Sequence, residues 1–325
     1  MNFDSKNRTP AEDDGEAATR TGFRSAVIEG LSRDPKTIPS KFLYDQRGSA
    51  LFEQICTLPE YYPTRVESAI LNRHAGEIAS MCGEHCLLVE LGSGSSAKTR
   101  ILLDRLHSPA AYIPVDIASD QLRIAAALIA RDYPQLEVLP LCADYTAPFE
   151  LPASRHAPGR RVTFFPGSTI GNLEPVEAVR FIANLARTSR PGDAIIVGVD
   201  LLKSPAILEQ AYNDSQGVTA AFNLNILRRM KRELGAEIQT DAFRHRAIFN
   251  SEAGRIEMHL VSVRDQVIRI DHREIPMRRG ESIVTEHCYK YAVEAFCKLA
   301  AAAACRVERA WTDSQGFFCT YYLVV

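Results

Sequence analysis

No stretch of this sequence is apolar for long enough to cross a bilayer, and the polar opening MNFDSKNRTPAEDDGEAATRTGF holds no apolar run of the kind a secretory signal needs. The expectation is a cytoplasmic protein with no membrane partner, residues 1–22 forming a mobile tail. A predominance of one charge is also missing. Lys and Arg number 38 against 40 Asp and Glu, a formal net charge of −2, and no segment interleaves basic with aromatic residues. That balance offers no footprint for a phosphate backbone, so nucleic acid is excluded as a partner. Paired cysteine spacing is absent as well. Cys56, Cys82, Cys86, Cys142, Cys288, Cys297, Cys305 and Cys319 lie scattered through apolar sequence, in neither the pattern of a zinc ribbon nor that of a disulfide framework. They read as reduced, mostly buried thiols, and no metal site is expected. No internal repeat or low-complexity tract interrupts the 325 residues, 46% hydrophobic and 24% charged, which suffice for one large domain or two interleaved ones.

What is present has an order. Residues 23–39 read as a short helix and a proline-punctuated turn, and 41–82 as helices interrupted at Pro59 and Pro63. The rhythm then changes to strand and helix in alternation: CLLVELGSGSS into KTRILLDRLH, AAYIPVDIAS into DQLRIAAALIARDYP, then LEVLPLCADY and RRVTFFPGSTIGN, EPVEAVRFIANLARTS, and GDAIIVGVDLL. Strands separated by helices of this length predict a doubly wound, mostly parallel sheet. From residue 203 the pattern loosens into one helix, VTAAFNLNILRRMKRELG, and antiparallel strands in HRAIFN and RIEMHLVSVRDQVIRID. AVEAFCKLAAAACRVERAW reads as a closing helix and FFCTYYLVV as an edge strand of the first sheet. The expected architecture is an α/β sheet domain over 66–200 and 292–325, with a smaller α+β unit over 23–65 and 201–291.

VELGSGSSAKT follows a strand and opens a helix, where a nucleotide-like ligand lies across strand carboxyl ends. Gly92 and Gly94 let backbone approach a ligand closely, and the following helix start favours an anionic group. The spacing matches neither G-x-G-x-x-G nor the P-loop ending in GK[ST], which weakens the dinucleotide and ATP readings. Asp116 closes the next strand, roughly twenty residues on, where a carboxylate can take both hydroxyls of a ribose. Asp144, in CADY, ends the third strand within reach of an adenine amine. These acids could also sit in ordinary strand-end turns. Glycine loop, ribose acid and adenine acid in that order resemble a class I, Rossmann-like, S-adenosylmethionine-dependent methyltransferase.

Three further stretches narrow the resemblance. KFLYDQRGSALFEQICTLPEYYPTR, FFPGSTIGNLEP and TEHCYKY together are similar to the histidine Nα-methyltransferase family, which trimethylates L-histidine to hercynine as the first step of ergothioneine biosynthesis. The match runs from about residue 25 to the end. It implies a monomer with a small amino-acid substrate held between the sheet domain and the inserted unit. Tyr44, Phe52 and Tyr61 would line that pocket. Gly167 and Asn172 would sit near the substrate amine and carboxylate, and Tyr212 would donate to the carboxylate. For the cofactor the resemblance implies Gly92 and Lys98 at the methionine end, Asp116 at the ribose and Asp144 at the adenine. Asn and Tyr are chemically apt, because they give a buried carboxylate hydrogen-bond donors without a second permanent charge.

TEHCYKY sets Glu286, His287 and Cys288 side by side. In a strand, alternation sends Glu286 and Cys288 to one face and His287 to the other, so the three cannot converge on one metal. His287 is expected to point away and pack or meet solvent. In the family, the glutamate accepts a hydrogen bond from the substrate imidazole, and a serine two residues later contacts the other ring nitrogen. Here that serine is Cys288. Exchanging a hydroxyl for a weak thiol partner is worth roughly 0.5–1.5 kcal/mol of binding. Tyr44, or an ordered water, is expected to hydrogen-bond the reacting amine, since no strong general base is evident. Two other readings stay open: the same fold methylating a different small amino acid or amine, and a binding protein that keeps the cofactor fold without turnover.

Overall fold

The computed structural model describes the backbone of residues 10–325 and side chains from residue 21 onward. The tail expected over 1–22 therefore falls, at residues 1–9, outside the described residues, and from Pro10 the chain is already helical. α1 (Pro10–Leu31) runs into the two-residue strand β1 (Lys36–Thr37), and a short 3-10 turn, Ser40–Leu43, leads to α2 (Gln46–Thr57). Asp45 caps α2 by accepting the Gly48 N–H at 2.7 Å, satisfying a donor that a helix start otherwise leaves free. α3 (Tyr62–Cys82) carries Pro63 in its first turn, where a missing N–H does no harm, and ends at Gly83 with φ +77°.

β2 (Leu87–Leu91) is buried along its whole length, the signature of a central parallel strand covered on both faces. α4 (Ala97–Leu103), β3 (Ala111–Asp116), α5 (Ser119–Asp132), β4 (Leu141–Cys142), β5 (Arg161–Phe165), α6 (Pro175–Arg187) and β6 (Ala194–Asp200) continue the alternation. The expected long third strand is short. Pro140 has no N–H to give a ladder, and only Leu141–Cys142 pairs with β3, with Val138 bridging to Tyr112. α7 (Pro205–Tyr212) and α8 (Val218–Leu234) follow, then β7 (Phe243–Asn250), β8 (Arg255–Ser262), β9 (Gln266–Ile270), β10 (Arg273–Met277) and β11 (Ser282–Tyr289). β1, β11, β8 and β7 form a four-stranded sheet in that order, while β9 and β10 make a separate hairpin. This sheet, α1, α2, α7 and α8 share one buried apolar core.

α9 (Val293–Ala302), β12 (Arg306–Thr312) and β13 (Phe318–Val324) complete the chain and correct two expectations. The alanine-rich helix does not continue through RVERAW. Ala304 turns left-handed at φ +58°, the Cys305 N–H returns to Ala300 O at 3.0 Å, and the chain leaves as a strand. That strand, β12, is the edge; β13 lies inside, antiparallel to both β12 and β6. The large sheet runs β12-β13-β6-β5-β2-β3-β4, parallel from β6 to β4, with apolar clusters on both faces. Strand order reverses beside β2, and that is where an open α/β sheet leaves a crevice at its carboxyl ends.

After β5 the chain makes a 3-10 turn, Thr169–Asn172, that ties the two sheets together. A Cβ on Gly171 would lie 2.7 Å from the Tyr289 carbonyl oxygen, so only glycine lets this turn press against β11. Gly171→Ala must push backbone apart, and we expect it to lower stability by about 1–3 kcal/mol, read as a reduced midpoint in denaturant. A midpoint equal to the parent's would show that the contact is slack.

Candidate active site

A cleft of about 1240 Å³ opens at the carboxyl ends of β2, β3 and β4. Gly92, Gly94, Lys98, Asp116 and Asp144 all line it. Gly92 takes φ +71° and Gly94 φ +49°, and the Tyr145 ring lies 3.6 Å from where a Gly92 Cβ would be, so a side chain there would be strained and crowded. Asp116 accepts the Gly94 N–H at 3.1 Å and the Ala118 N–H at 2.9 Å, which aims its carboxylate across the loop. Asp144 is paired with Lys41 at 2.7 Å and also accepts the Thr146 N–H at 3.0 Å. Although burial works against ionisation, these partners hold its carboxyl below the usual range. Lys98 is ion-paired with fully buried Glu67, which also accepts the Gly167 N–H at 2.8 Å. Ser93 Oγ, at the bend of the loop, is buried without a hydrogen-bond partner. An unpartnered hydroxyl, two glycines with positive φ and two strand-end carboxylates in one cleft fit a ligand built like a nucleoside joined to an amino acid.

From the floor of the cleft a narrower cavity of about 40 Å³ reaches inward. Tyr44, Phe52, Tyr61, Gly167, Asn172 and Glu286 line both spaces, while Tyr212 and Cys288 close the inner end. Residues from four separate stretches of sequence thus meet around one opening. The aromatic members brace one another edge to face: Tyr44 with Phe52 and Phe222 at 5.4 Å each, Phe52 with Tyr61 at 6.1 Å, and Tyr61 with Tyr212 at 6.1 Å. Burial raises the Tyr44, Tyr61 and Tyr212 phenols well above their ordinary value, so all three keep their protons at neutral pH. Burial also pushes the Glu286 carboxyl up to about 7, against the pull of Lys290.

β11 divides its side chains as alternation requires. Glu286 and Cys288 face the inner cavity; His287 turns to the other side of the strand, where it lines the larger cleft with its Nδ1 2.9 Å from Glu174, which Tyr289 and Arg255 also contact. A bulge between Val284 and Glu286 sets this phase. Among the described residues no group of three or more His, Cys, Asp or Glu could hold a metal ion.

Behind the inner wall lies a group of charges that the sequence reading missed. Asp200, fully buried at the end of β6, accepts from Tyr62 at 2.8 and 2.9 Å, from Lys203 at 2.5 Å and from Lys290 at 2.8 Å. Burial disfavours its charge, yet the two lysines outweigh that and keep it ionised. Lys290 Nζ also donates to the Tyr212 hydroxyl at 3.1 Å and to Cys288 Sγ at 3.2 Å. Its signal was in the quoted stretch: Lys290 stands two residues after Cys288, on the face alternation had already assigned. Glu90, two residues before Gly92, was also passed over. It is buried beneath the glycine loop, accepts from Tyr112, and burial raises it to about 7. Lys41, which reaches Asp144, was read only as part of a motif.

The sequence has counterparts among known proteins. The chain is 43% identical to the histidine N-alpha-methyltransferase of Mycobacterium tuberculosis, covering 94% of this chain and 95% of that one. It is 42% identical to the histidine N-alpha-methyltransferase of Mycolicibacterium smegmatis, over 91% and 92%. Ergothioneine biosynthesis protein 1 of Neurospora crassa matches at 30% identity over 86% of this chain, which corresponds to 32% of that longer protein. The family model described as histidine-specific methyltransferase, SAM-dependent, matches residues 23–325, so a glycine-loop cleft with a polar cavity beneath it is here the work of an enzyme: this chain belongs to the S-adenosylmethionine-dependent, histidine-specific methyltransferases.

Proposed function

We propose that this protein transfers three methyl groups in succession from S-adenosylmethionine to the α-amino group of L-histidine, giving hercynine, and that it acts on the free amino acid as a cytoplasmic monomer. The observation that carries the reading is the cavity itself: a buried carboxyl at one wall, phenol and amide groups at the other, opening onto the cofactor cleft. The eight cysteines are free thiols, which agrees with a reducing compartment, and no helix among the described residues is long and apolar enough to cross a membrane.

Each polar group has a task in this reading. Gly92 and Gly94 bring backbone against the cofactor, Asp116 takes its ribose hydroxyls, Asp144 its adenine amine, and Lys98 faces the methionine end. The bound cofactor supplies a methyl group on a sulfonium, which already carries its leaving group. What the protein adds is alignment, with the amine held in line with the cleft. Asn172 and Tyr212 donate to the substrate carboxylate. Glu286 accepts the imidazole N–H, and Cys288, where the family resemblance implies a serine, faces the other ring nitrogen. A carboxyl balanced near 7 can hold the ring as acceptor when ionised, a match that an indole or an aliphatic side chain would leave poorly used.

The amine must lose its proton before each transfer. None of the phenols can take it at neutral pH, since burial keeps them protonated. Tyr44 therefore orients the amine lone pair by a hydrogen bond, and the proton leaves through the open cleft to solvent.

Mass-resolved methylation of a mixture of the twenty amino acids should yield one product, histidine heavier by three methyl groups; methylation of another amino acid would overturn the substrate. Tyr44→Phe should slow methylation of histidine by about tenfold, the value of one hydrogen bond to a charged or reacting group. Unchanged rates on both histidine and its dimethyl form would remove Tyr44 from the reaction. Glu286 also makes a pH-dependent prediction. Its folded pKa is raised, so the stability it allows is fully present below the usual carboxylate value and is lost as pH rises through about 7. Glu286→Gln should therefore match the parent in unfolding free energy near pH 4.5 and exceed it at pH 8 by on the order of 3 kcal/mol, with a raised Tm there, while binding histidine more weakly. Equal Tm values at pH 8 would show that the carboxyl is solvated.

A further inference from the structure

Lys290 has a buried cation's full set of partners and one feature beyond structural need. Its ammonium is 1% exposed, and its three N–H groups reach Asp200 Oδ2, the Tyr212 oxygen and Cys288 Sγ. Asp200 does not depend on it for neutralisation, because Lys203 contacts the same carboxylate at 2.5 Å and Tyr62 donates to both of its oxygens. Asp313 also acts on Lys203, and Glu286 is drawn to Lys290 from beyond contact, so the ammonium at the inner wall shares its contacting carboxylate with a second lysine and keeps part of its field for the cavity. Of the two lysines, Lys290 is the one that touches the inner wall of the cavity.

Its hydrogen bonds also fix direction. The Tyr212 oxygen accepts from Lys290, so the phenol proton must point onward; it rests on Cys288 Sγ at 3.2 Å, and a substrate carboxylate, the stronger acceptor, would take it from the sulfur. The sulfur in turn accepts from both groups, which leaves its own S–H free to face the cavity. The ammonium also lies 5.0 Å from the centre of the Tyr212 ring, so the ring and its hydroxyl feel the same charge.

We infer that Lys290 is a positioning and specificity residue: it commits the Tyr212 hydroxyl to donation and lends the inner end of the cavity a positive field, making it a receptor for a carboxylate rather than for a neutral group. The inference rests on the proposed placement of the substrate carboxylate at Asn172 and Tyr212. It predicts what class of ligand is refused. An amino acid with its carboxylate intact is taken, whereas the carboxamide, which matches it in shape, loses the answering charge.

The test compares L-histidine with L-histidinamide in the parent and in Lys290→Met, Lys290→Gln and Tyr212→Phe. The two substrates differ in amine basicity, but that difference cancels when the ratio of their KM values is compared between variants. Methionine fills the lysine's volume without charge; glutamine keeps an N–H donor without charge. Both leave Asp200 paired with Lys203, and binding of S-adenosylhomocysteine by calorimetry reports that the cleft is intact. We expect both Lys290 variants to raise KM for histidine roughly tenfold or more, to change kcat and the KM for histidinamide little, and so to shrink the discrimination by about tenfold. A purely structural lysine would affect both substrates alike, and an unchanged KM ratio in either variant that binds S-adenosylhomocysteine normally would overturn the inference. Tyr212→Phe separates the two readings. If it leaves the KM for histidine unchanged, the carboxylate does not lie at Tyr212, and the proposed placement falls together with the role of Lys290. If it raises that KM while Lys290→Met keeps the parental ratio, the placement stands and only the role of Lys290 fails.

Discussion

The Asp200 carboxylate is the point at which the parts of this protein are joined. It terminates β6 in the large sheet, receives the Tyr62 hydroxyl from the first turn of α3, and receives Lys290 from the chain just beyond β11. Its own N–H is held by Ser168 Oγ at 2.9 Å, the residue that starts the turn carrying Asn172. Ser168 sits at φ +58°, a conformation that costs a non-glycine residue on the order of 1 kcal/mol or more and persists only where surrounding contacts impose it. A buried ion group of this kind adds little net stability against an apolar replacement, because desolvation offsets most of the attraction. What it does supply is registry. In this arrangement the large sheet, the N-terminal helices and the chain just after the strand bearing Glu286 all meet the one Asp200 carboxylate.

A second junction works by shape. Gly171 and Gly198 are both placed where any side chain would strike a neighbour, the Tyr289 carbonyl in the first case and the Glu67 carboxylate, at 2.0 Å from an added Cβ, in the second. Glu67 is the residue that links Lys98 in the glycine-loop helix to the Gly167 N–H. Close approach at Gly198 therefore lets one buried carboxylate hold both the helix after the glycine loop, through Lys98, and the turn after β5, through Gly167. The aromatic side chains around that opening need no further anchor, since each packs edge to face against another.

Local chemistry made much of this legible in the sequence. Gly92 and Gly94 after a strand, and acids at two successive strand ends, announce a cleft because backbone freedom and carboxylates at those places have few other uses. The period-two reading of TEHCYKY placed Glu286 and Cys288 on the cavity face and His287 outside it, and applied for two more residues it would have reached Lys290. Asp200 gave no such signal. A strand-terminal Asp looks the same in sequence whether it meets water or two lysines, and although Lys203 is three residues on, Tyr62 and Lys290 lie far away along the chain. The helix expected over AVEAFCKLAAAACRVERAW forms from Val293 to Ala302, but its last part differs for a related reason: alanine favours helix locally, while pairing with β13 decides the fate of RVERAW, and that contact is tertiary.

Cys288 can be understood from the same contacts. A thiol is a poor hydrogen-bond partner in isolation, and burial raises its pKa, so it stays neutral and unreactive. Beside an ammonium the polarisable sulfur becomes a better acceptor, and here it receives both Lys290 and Tyr212. With its acceptor side occupied from behind, the remaining S–H has one open direction, toward the cavity. A serine hydroxyl in this position would make the same pattern with shorter bonds. Cysteine in place of a serine here would therefore keep the direction of every hydrogen bond at the inner wall and weaken each of them.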